Sequence, residues 1–479
     1  MEPIGNGIDA RTKLMASATE VWRAIMPPWQ KFYEELSSKE VLSFLCEKSL
    51  IARTEMVREA QGETGVFFRQ ERLPFLTYPF EWSYSMFHDA AVKCLDLHES
   101  LFRQGYCLLD SHPWNFVFSG PVPLWVDVTS ISAYDPQTAR ASLRQFGSFF
   151  LNPLWLLAHH QPVIARSLLT HTFQDLPTRK ALEILPGGSG SPQRWPFRLA
   201  AKFADAQKSV SRTLREMVFD RQLARLDLNR SDDALRAIAM FRRQLAGLPR
   251  TVEKMQWTDY VQAGQEALTP AEIKHQKLDG ARLANQKMGP LVAWLEKIRP
   301  ECATLVDLAC NKGLYAQTAS MLGYQVAGID IDEGAVESMY VFNRDHKLKV
   351  VSAINDCVAP LEACGMVTNP MPAFARRVQA DCGLFLALIH HLYFGRYQMS
   401  FENISRLAAM LVKKYAVIEF VPPTDSYLAE NYQSSPRFQA YDQAAFMAAI
   451  QRQFEIEATA ASFPEGRTLW LLKEKTAAL

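Results

Sequence analysis

A carboxylate at the tip of a buried strand is an acceptor placed where a ligand can reach it, and this chain repeats the arrangement three times. In VDLACNKGLYAQTA, residues 306–319, Asp307 closes on the end of an apolar run, a turn follows through Ala309, Asn311 and Gly313, and a helical pattern begins. Seventeen residues past Gly313, Asp330 stands in VAGIDID at the tip of the next expected strand, and INDC places Asp356 just after the following run. In an open parallel sheet the ligand crevice lies at the carboxyl ends of the strands, where one carboxylate can accept from both hydroxyls of a ribose. Asp330 suits that role, and Asp356 can accept from an adenine amino group. The alternative is a generic α/β domain with Asp330 solvated on a loop.

The run LFLALIHHLYFG, residues 384–395, adds Leu386 to the lining of this crevice and two histidines, His390 and His391, just beyond the strand. An imidazole with an ordinary pKa near 6.5 can take a proton from a hydroxyl or amine. Either histidine can serve while the other packs or caps. Glu419, in VIEFVPPTD with Asp425 close behind, stands at the end of the fifth strand. It can orient a histidine, hold a second substrate, or form a salt bridge within the fold. Such chemistry needs no metal.

These groups need a parallel sheet to bring them together. From residue 304 onward, TLVDLAC, QVAGIDI, KVVSAIN, CGLFLALI and YAVIEFV are apolar runs separated by helical segments, a pattern that predicts a mostly parallel, Rossmann-like α/β sheet. FEIEATA and RTLWLLKE predict an antiparallel pair at one end of it. Upstream, residues 88–105 have helical spacing and end at Gly105, and CLLD, FVF and PLWVDV read as short strands. Residues 20–60 read as mainly helical. LPGGSGSPQRWP, residues 185–196, reads as a linker. The helical stretch SDDALRAIAMFRRQLAGLP, residues 231–249, follows it, with Ser231 as the expected N-cap. The expected division is 1–185, a connector over 186–255, and 256–479.

The whole chain of 479 residues carries a formal charge of +1, which names no partner. Residues 194–250 hold 13 Lys and Arg against 6 Asp and Glu, a local excess of 7. The eight cysteines form no CxxC pair, which argues against a disulfide framework or zinc ribbon and fits a reducing cytoplasm. The opening MEPIGNGIDARTK has no apolar leader core, and FFLNPLWLLA, residues 149–158, is too short to span a bilayer. The expectation is a cytoplasmic protein with no membrane partner.

The three acidic positions and the turn resemble the class I S-adenosylmethionine (SAM) dependent methyltransferases, whose first motif reads acidic-x-Gly-x-Gly-x-Gly. Ala309, Asn311 and Gly313 stand at the three glycine positions. The resemblance implies SAM as cofactor, held by Asp307, Ala309, Asn311, Gly313, Asp330, Asp356 and Leu386, with His390, His391 and Glu419 as catalytic candidates. Upstream, Asp110, Asn115 five residues later and Asp127 resemble the catalytic loop and metal-binding Asp of protein kinases and aminoglycoside phosphotransferases. There the first is a base, and the other two hold magnesium around ATP. With no glycine-rich phosphate loop upstream, the resemblance implies a reduced nucleotide-gripping lobe kept as a scaffold.

A broader resemblance runs through RLPFLTYPFEWSYSMFHDAA, DSHPWN, WVDVTS, FFLNPL, DLACNKG, LALIHHL and IEFVPP, in that order. It is to a bacterial methyltransferase family that includes the nodulation protein NoeA. It implies a methyltransferase with a fused N-terminal domain that helps to bind the acceptor, a glycan or other small metabolite presenting a hydroxyl or amine. RNA or protein held by the basic connector, a non-catalytic SAM-sensing regulator, and a bifunctional kinase-methyltransferase are the competing readings. The oligomeric state stays open.

Overall fold

The computed structural model describes residues 2–3, 10–60, 63–170, 223–250, 287–358, 364–366 and 369–475. The Gly/Ser-rich segment 185–196, the basic stretch before residue 223 and both expected domain boundaries lie outside the described residues. No helix among the described residues is long and apolar enough to cross a membrane.

The chain opens with an antiparallel sheet of β1 (Glu2–Pro3), β2 (Thr12–Ala16), β3 (Glu20–Ile25), β4 (Thr54–Ala60) and β5 (Glu63–Glu71), in the order β1-β2-β3-β5-β4. Helices Pro27–Ser38 and Val41–Glu47 sit between β3 and β4. Residues 20–60 thus hold two strands as well as two helices, which corrects the mainly helical expectation. The reason is local: β3 buries Trp22 and Ile25, three residues apart, a spacing that mimics a helix face, and in β4 only Ala60 is fully covered.

Helix Tyr84–Arg103 follows, with Gly105 just past its C-cap as its sequence predicts. Then come β6 (Tyr106–Leu108), β7 (Phe116–Ser119), β8 (Val122–Trp125) and β9 (Ile131–Ala133), paired β6 with β9 and β7 with β8. Helix Ser231–Ala246 begins after Arg230 as N-cap, one residue earlier than expected. It packs on Tyr84–Arg103, and Arg242 reaches Asp96 at 2.6 Å and Glu99 at 3.1 Å.

The second sheet contains β10 (Thr304–Leu308), β11 (Gln325–Asp330), β12 (Val350–Ile354), β15 (Ala380–Phe385), β16 (Val412–Phe420), β17 (Phe454–Ala461) and β18 (Thr468–Glu474). A small hairpin, β13 (Cys364–Met366) with β14 (Asn369–Met371), lies apart from it. The order is β12-β11-β10-β15-β16-β18-β17, with β18 the one antiparallel member. In order of appearance within this sheet the strands stand 3-2-1-4-5-7-6. All seven runs read from the sequence are strands.

Period-two alternation sends the two faces of this sheet into different cores. Leu305, Val326, Val350, Leu384 and Val417 pack with helices Met288–Ile298 and Leu314–Met321. Val306, Ile329, Ala353, Phe385 and Ile418 belong to a cluster that continues without a break through the N-terminal half, including Phe80, Trp82, Phe87 and Trp125. The β7–β8 turn approaches so closely that a Cβ at Gly120, φ 58°, would lie 3.2 Å from the Lys349 Cα.

Polar bonds cross the same junction. Tyr340 Oη donates to Asp89 at 2.8 Å, and Arg344 reaches Asp89 at 3.0 Å. Glu337 accepts from Ser85 N and Oγ at 2.9 and 2.5 Å, and Arg166 meets Glu333 at 2.8 Å. Deepest is Glu81, whose carboxylate takes both Arg377 Nη1 and Nη2 at 2.7 and 2.6 Å while the two side chains are 0% and 2% exposed. Removing one partner of such a pair strands a buried charge. Arg377→Met is therefore expected to lower the unfolding free energy by about 3–5 kcal/mol, measured as a shift of the urea midpoint; a change below about 1 kcal/mol would show that the pair carries no structural burden.

Candidate active site

The carboxyl ends of β10, β11, β12 and β15 bring together the predicted residues of the crevice. Asp307 lies in β10, in register with Gly328 and Leu384, and is 1% exposed. Past β10 the chain makes a turn in which Ala309, Asn311 and Gly313 all have positive φ, at 53°, 50° and 81°. Two of the three left-handed positions are therefore held by residues with a Cβ. The Asn311 side chain answers this locally, its Oδ1 accepting from Lys312 N at 2.7 Å. Gly313 has no substitute, because a Cβ there would come within 2.5 Å of Met339 Sδ.

Asp330 holds the turn from the side. Its Oδ2 accepts from Asn311 N at 2.7 Å and its Oδ1 from Asp332 N at 2.8 Å. Burial raises its pKa. Asp332 in turn caps helix Glu333–His346 by accepting from Ala335 N. Asp356, just past β12, accepts from Val358 N at 2.9 Å and from Tyr397 Oη at 2.7 Å. Ile331 is 53% exposed and Tyr397 37% exposed, although each adjoins an acidic residue of the crevice. Neither was read from the sequence, where an apolar residue beside an acid carries no signal of exposure.

Asp307 is electrostatically unusual for a carboxylate. Its Oδ2 is buried with no partner, and burial pushes its pKa to about 8, with Asp330 adding to the rise and Lys287 opposing it. A buried carboxyl with a vacant oxygen fits a cationic ligand, which would favour its ionised form.

His390 and His391 open helix Ile389–Phe394 with ring centroids 4.1 Å apart, and the Tyr427 ring stands edge-on to both at 5.7 and 5.8 Å. Burial, reinforced by His391 and the Arg467 and Lys287 charges, drives the His390 pKa well down. Burial and Arg467 bring that of His391 to about 4. Both are neutral at pH 7. His390 Nδ1 is buried without a partner.

Glu419 does not orient a histidine. Its Oε2 accepts from Lys287 Nζ and Ala387 N, each at 2.8 Å, and its Oε1 from Ser462 Oγ at 2.5 Å. Of the readings its sequence allows, the internal salt bridge is the one present. Lys287 and Glu419 are 1% and 0% exposed, so this pair pins the β15 exit, where Ala387 sits at φ 49°. Asp425 is likewise taken, by Arg467 Nε at 2.8 Å. Leu386 is buried in the core cluster with Leu384, Cys310 and Tyr315. Lys287 and Arg467 lie in polar surroundings in the sequence, and only the fold shows them buried.

The N-terminal trio lies around the β7–β8 hairpin, where Val126 N donates to Asn115 O at 2.9 Å. Asn115 Nδ2 donates to Asp110 Oδ1 at 3.0 Å, whereas Asp127 faces Arg23 on β3 at 3.4 Å and accepts from Thr129 Oγ1 at 2.7 Å. Arg23 also donates to Val126 O. Among the described residues no group of three or more His, Cys, Asp or Glu is arranged to hold a metal ion.

No family model matches the chain. It is 25% identical over 409 residues to the nodulation protein NoeA of Rhizobium meliloti (strain 1021), covering 83% of this chain and 79% of that one. Among solved structures, magnesium protoporphyrin IX methyltransferase (ChlM) of Synechocystis PCC 6803, with bound SAH, overlaps 42% of this chain and 84% of its own at 14% identity and a TM-score of 0.29. The 16S rRNA methylase RmtB overlaps 56% and 91% at 17% identity and a TM-score of 0.28.

Two outcomes follow from the geometry. A left-handed residue with a Cβ costs roughly 1–2 kcal/mol, so Ala309→Gly is expected to be neutral or stabilising by up to about 1 kcal/mol, whereas Ala309→Val loses about 2 kcal/mol or more, both read from urea unfolding. For Asp307, the folded pKa of about 8 lies above the ordinary carboxyl value near 4. Stability is thus fullest below about pH 4 and declines as pH rises toward 8, by about 1.4 kcal/mol per unit at the steepest. Asp307→Asn is expected to flatten this slope; an unchanged pH profile would contradict the assignment.

Proposed function

We propose that the chain is an S-adenosylmethionine-dependent methyltransferase that methylates a hydroxyl or amine of a small acceptor, a carbohydrate or other metabolite. The observation that carries the reading is the turn at 309, 311 and 313, left-handed at every position where the class I motif has glycine and fastened to Asp330. Strain of this kind, about 1–3 kcal/mol per residue, persists where the surroundings demand it and clusters at functional sites. The sheet order 3-2-1-4-5-7-6 supports the same reading. The likeness to NoeA over most of both chains agrees with it.

The residues fit the cofactor. Asp330 and Asp356 offer carboxylates to the ribose hydroxyls and the adenine amino group, and the vacant Asp307 oxygen suits the positive charge of SAM. Bound there, SAM supplies an electrophilic methyl group. The exposed Ile331 and Tyr397 supply apolar surface beside those carboxylates. The Lys287–Glu419 pair fixes the Ala387 turn and so the start of the helix that carries His390 and His391. Their burial keeps both imidazoles unprotonated, the state a proton acceptor must have. Alignment of acceptor and donor supplies the rest of the rate.

One observation favours a small acceptor over RNA. Arg236, Arg242 and Arg250 of the basic stretch each end in an ion pair with Asp233, Asp96 and Glu99, or Glu337. Those charges are compensated within the chain. The N-terminal half is read as a kinase-like scaffold bordering the acceptor, and Arg23 beside Asp127 supports the absence of phosphotransfer.

The reading is tested by incubation with SAM and a panel of glycans and small hydroxyl or amine acceptors, measuring SAH release, and by calorimetric titration with SAH. Asp330→Ala removes charge-assisted bonds of about 1.5–3 kcal/mol and is expected to weaken SAH binding by roughly 10- to 100-fold. Unchanged affinity would place the donor elsewhere.

A further inference from the structure

The block RLPFLTYPFEWS lies in the N-terminal half, far in sequence from every residue assigned to the donor site, yet its Glu81 reaches the loop that carries Asp356. Glu81 accepts four donors: Arg377 Nη1 and Nη2, Tyr78 N at 2.8 Å and Asn355 Nδ2 at 2.6 Å. Arg377 is itself tied to this block, donating to Leu76 O at 2.8 Å while Leu76 N donates to Arg377 O at 3.2 Å. The Tyr78 ring lies under the same guanidinium, 4.2 Å from its carbon. The result is a carboxylate fixed on all sides and wholly buried.

Asn355 is the residue between β12 and Asp356. Its backbone N donates to Asp330 O at 3.0 Å, so the exit of β12 is tied on one side to β11 and on the other to Glu81. The described helix before β15 is only five residues, Phe374–Val378, and its Arg377 is the residue that Glu81 clamps. The loop with the adenine-facing carboxylate is thereby held from outside its own sheet.

Building on the methyltransferase reading, we infer that Glu81 is a positioning residue of the donor site: acting through Asn355, it sets the Asp356 carboxylate to accept from the adenine amino group. The N-terminal half therefore serves donor recognition as well as covering the sheet. A group placed to accept a particular hydrogen bond rejects a ligand that lacks the donor.

The full-length chain is titrated calorimetrically with SAH and with S-inosylhomocysteine, which carries an oxygen in place of the adenine amino group. The wild type is expected to prefer SAH by about tenfold or more. Asn355→Ala leaves the Glu81–Arg377 pair intact. It is expected to weaken SAH about tenfold while changing S-inosylhomocysteine by less than about twofold, so that the preference collapses. Unchanged SAH affinity, or equal losses for both ligands, would overturn the inference while leaving the donor reading in place. Binding of neither ligand by the wild type would remove that reading and the inference with it. If Asn355→Ala lowers the melting temperature, Asn355→Leu, similar in volume but with no donor for Glu81, must give the same selective loss; its failure to do so also overturns the inference.

Discussion

The two halves of this molecule are held at one point by a charge that cannot be left alone. Glu81 and Arg377 are both withdrawn from water, and a buried carboxylate is tolerable only while its partner and its hydrogen bonds are in place. Each therefore constrains the other, and through them the segment 76–82 is fixed against the sheet. The apolar surroundings add the larger area: Phe80 and Trp82 belong to the same uninterrupted core as Val306, Ile329 and Ile418. Apolar contact supplies cohesion without direction. The ion pair and Asn355, together with the bonds of Asp89, Glu337 and Glu333 across the same junction, supply the register.

The crevice is built by similar means at smaller scale. Its turn adopts a backbone natural for glycine with only one of three glycines, and its backbone N–H groups donate to Asp330 and to the Asn311 side chain in compensation. Beside it, the Lys287–Glu419 pair holds a further left-handed residue, Ala387. Strained backbone kept by buried polar groups is stiff, and stiffness suits a site that must present carboxylates and imidazoles at fixed positions.

The N-terminal half carries a different lesson about spacing. Asp110 and Asn115 meet as their five-residue interval suggests, but Asp127 is occupied by Arg23 from β3. A sequence interval can bring two groups near each other, yet the charge that settles their chemistry can arrive from a strand a hundred residues away.

The sequence alone determined the seven strands of the larger sheet, because six bury most of both faces and read as nearly continuous apolar runs, while the edge strand β17 alternates between covered and exposed residues. It also determined where Asp307, Asp330, Asp356 and the histidine pair would gather, since carboxyl ends of parallel strands share one edge. It failed at β3 and β4, half-exposed strands whose buried residues do not alternate. Only the tertiary structure decided that Glu419 binds Lys287 instead of a histidine, that Ile331 stands exposed, and that Glu81 reaches Asn355 across 274 positions. These depend on burial and on contacts between distant segments, and neither leaves a periodic trace in the order of residues.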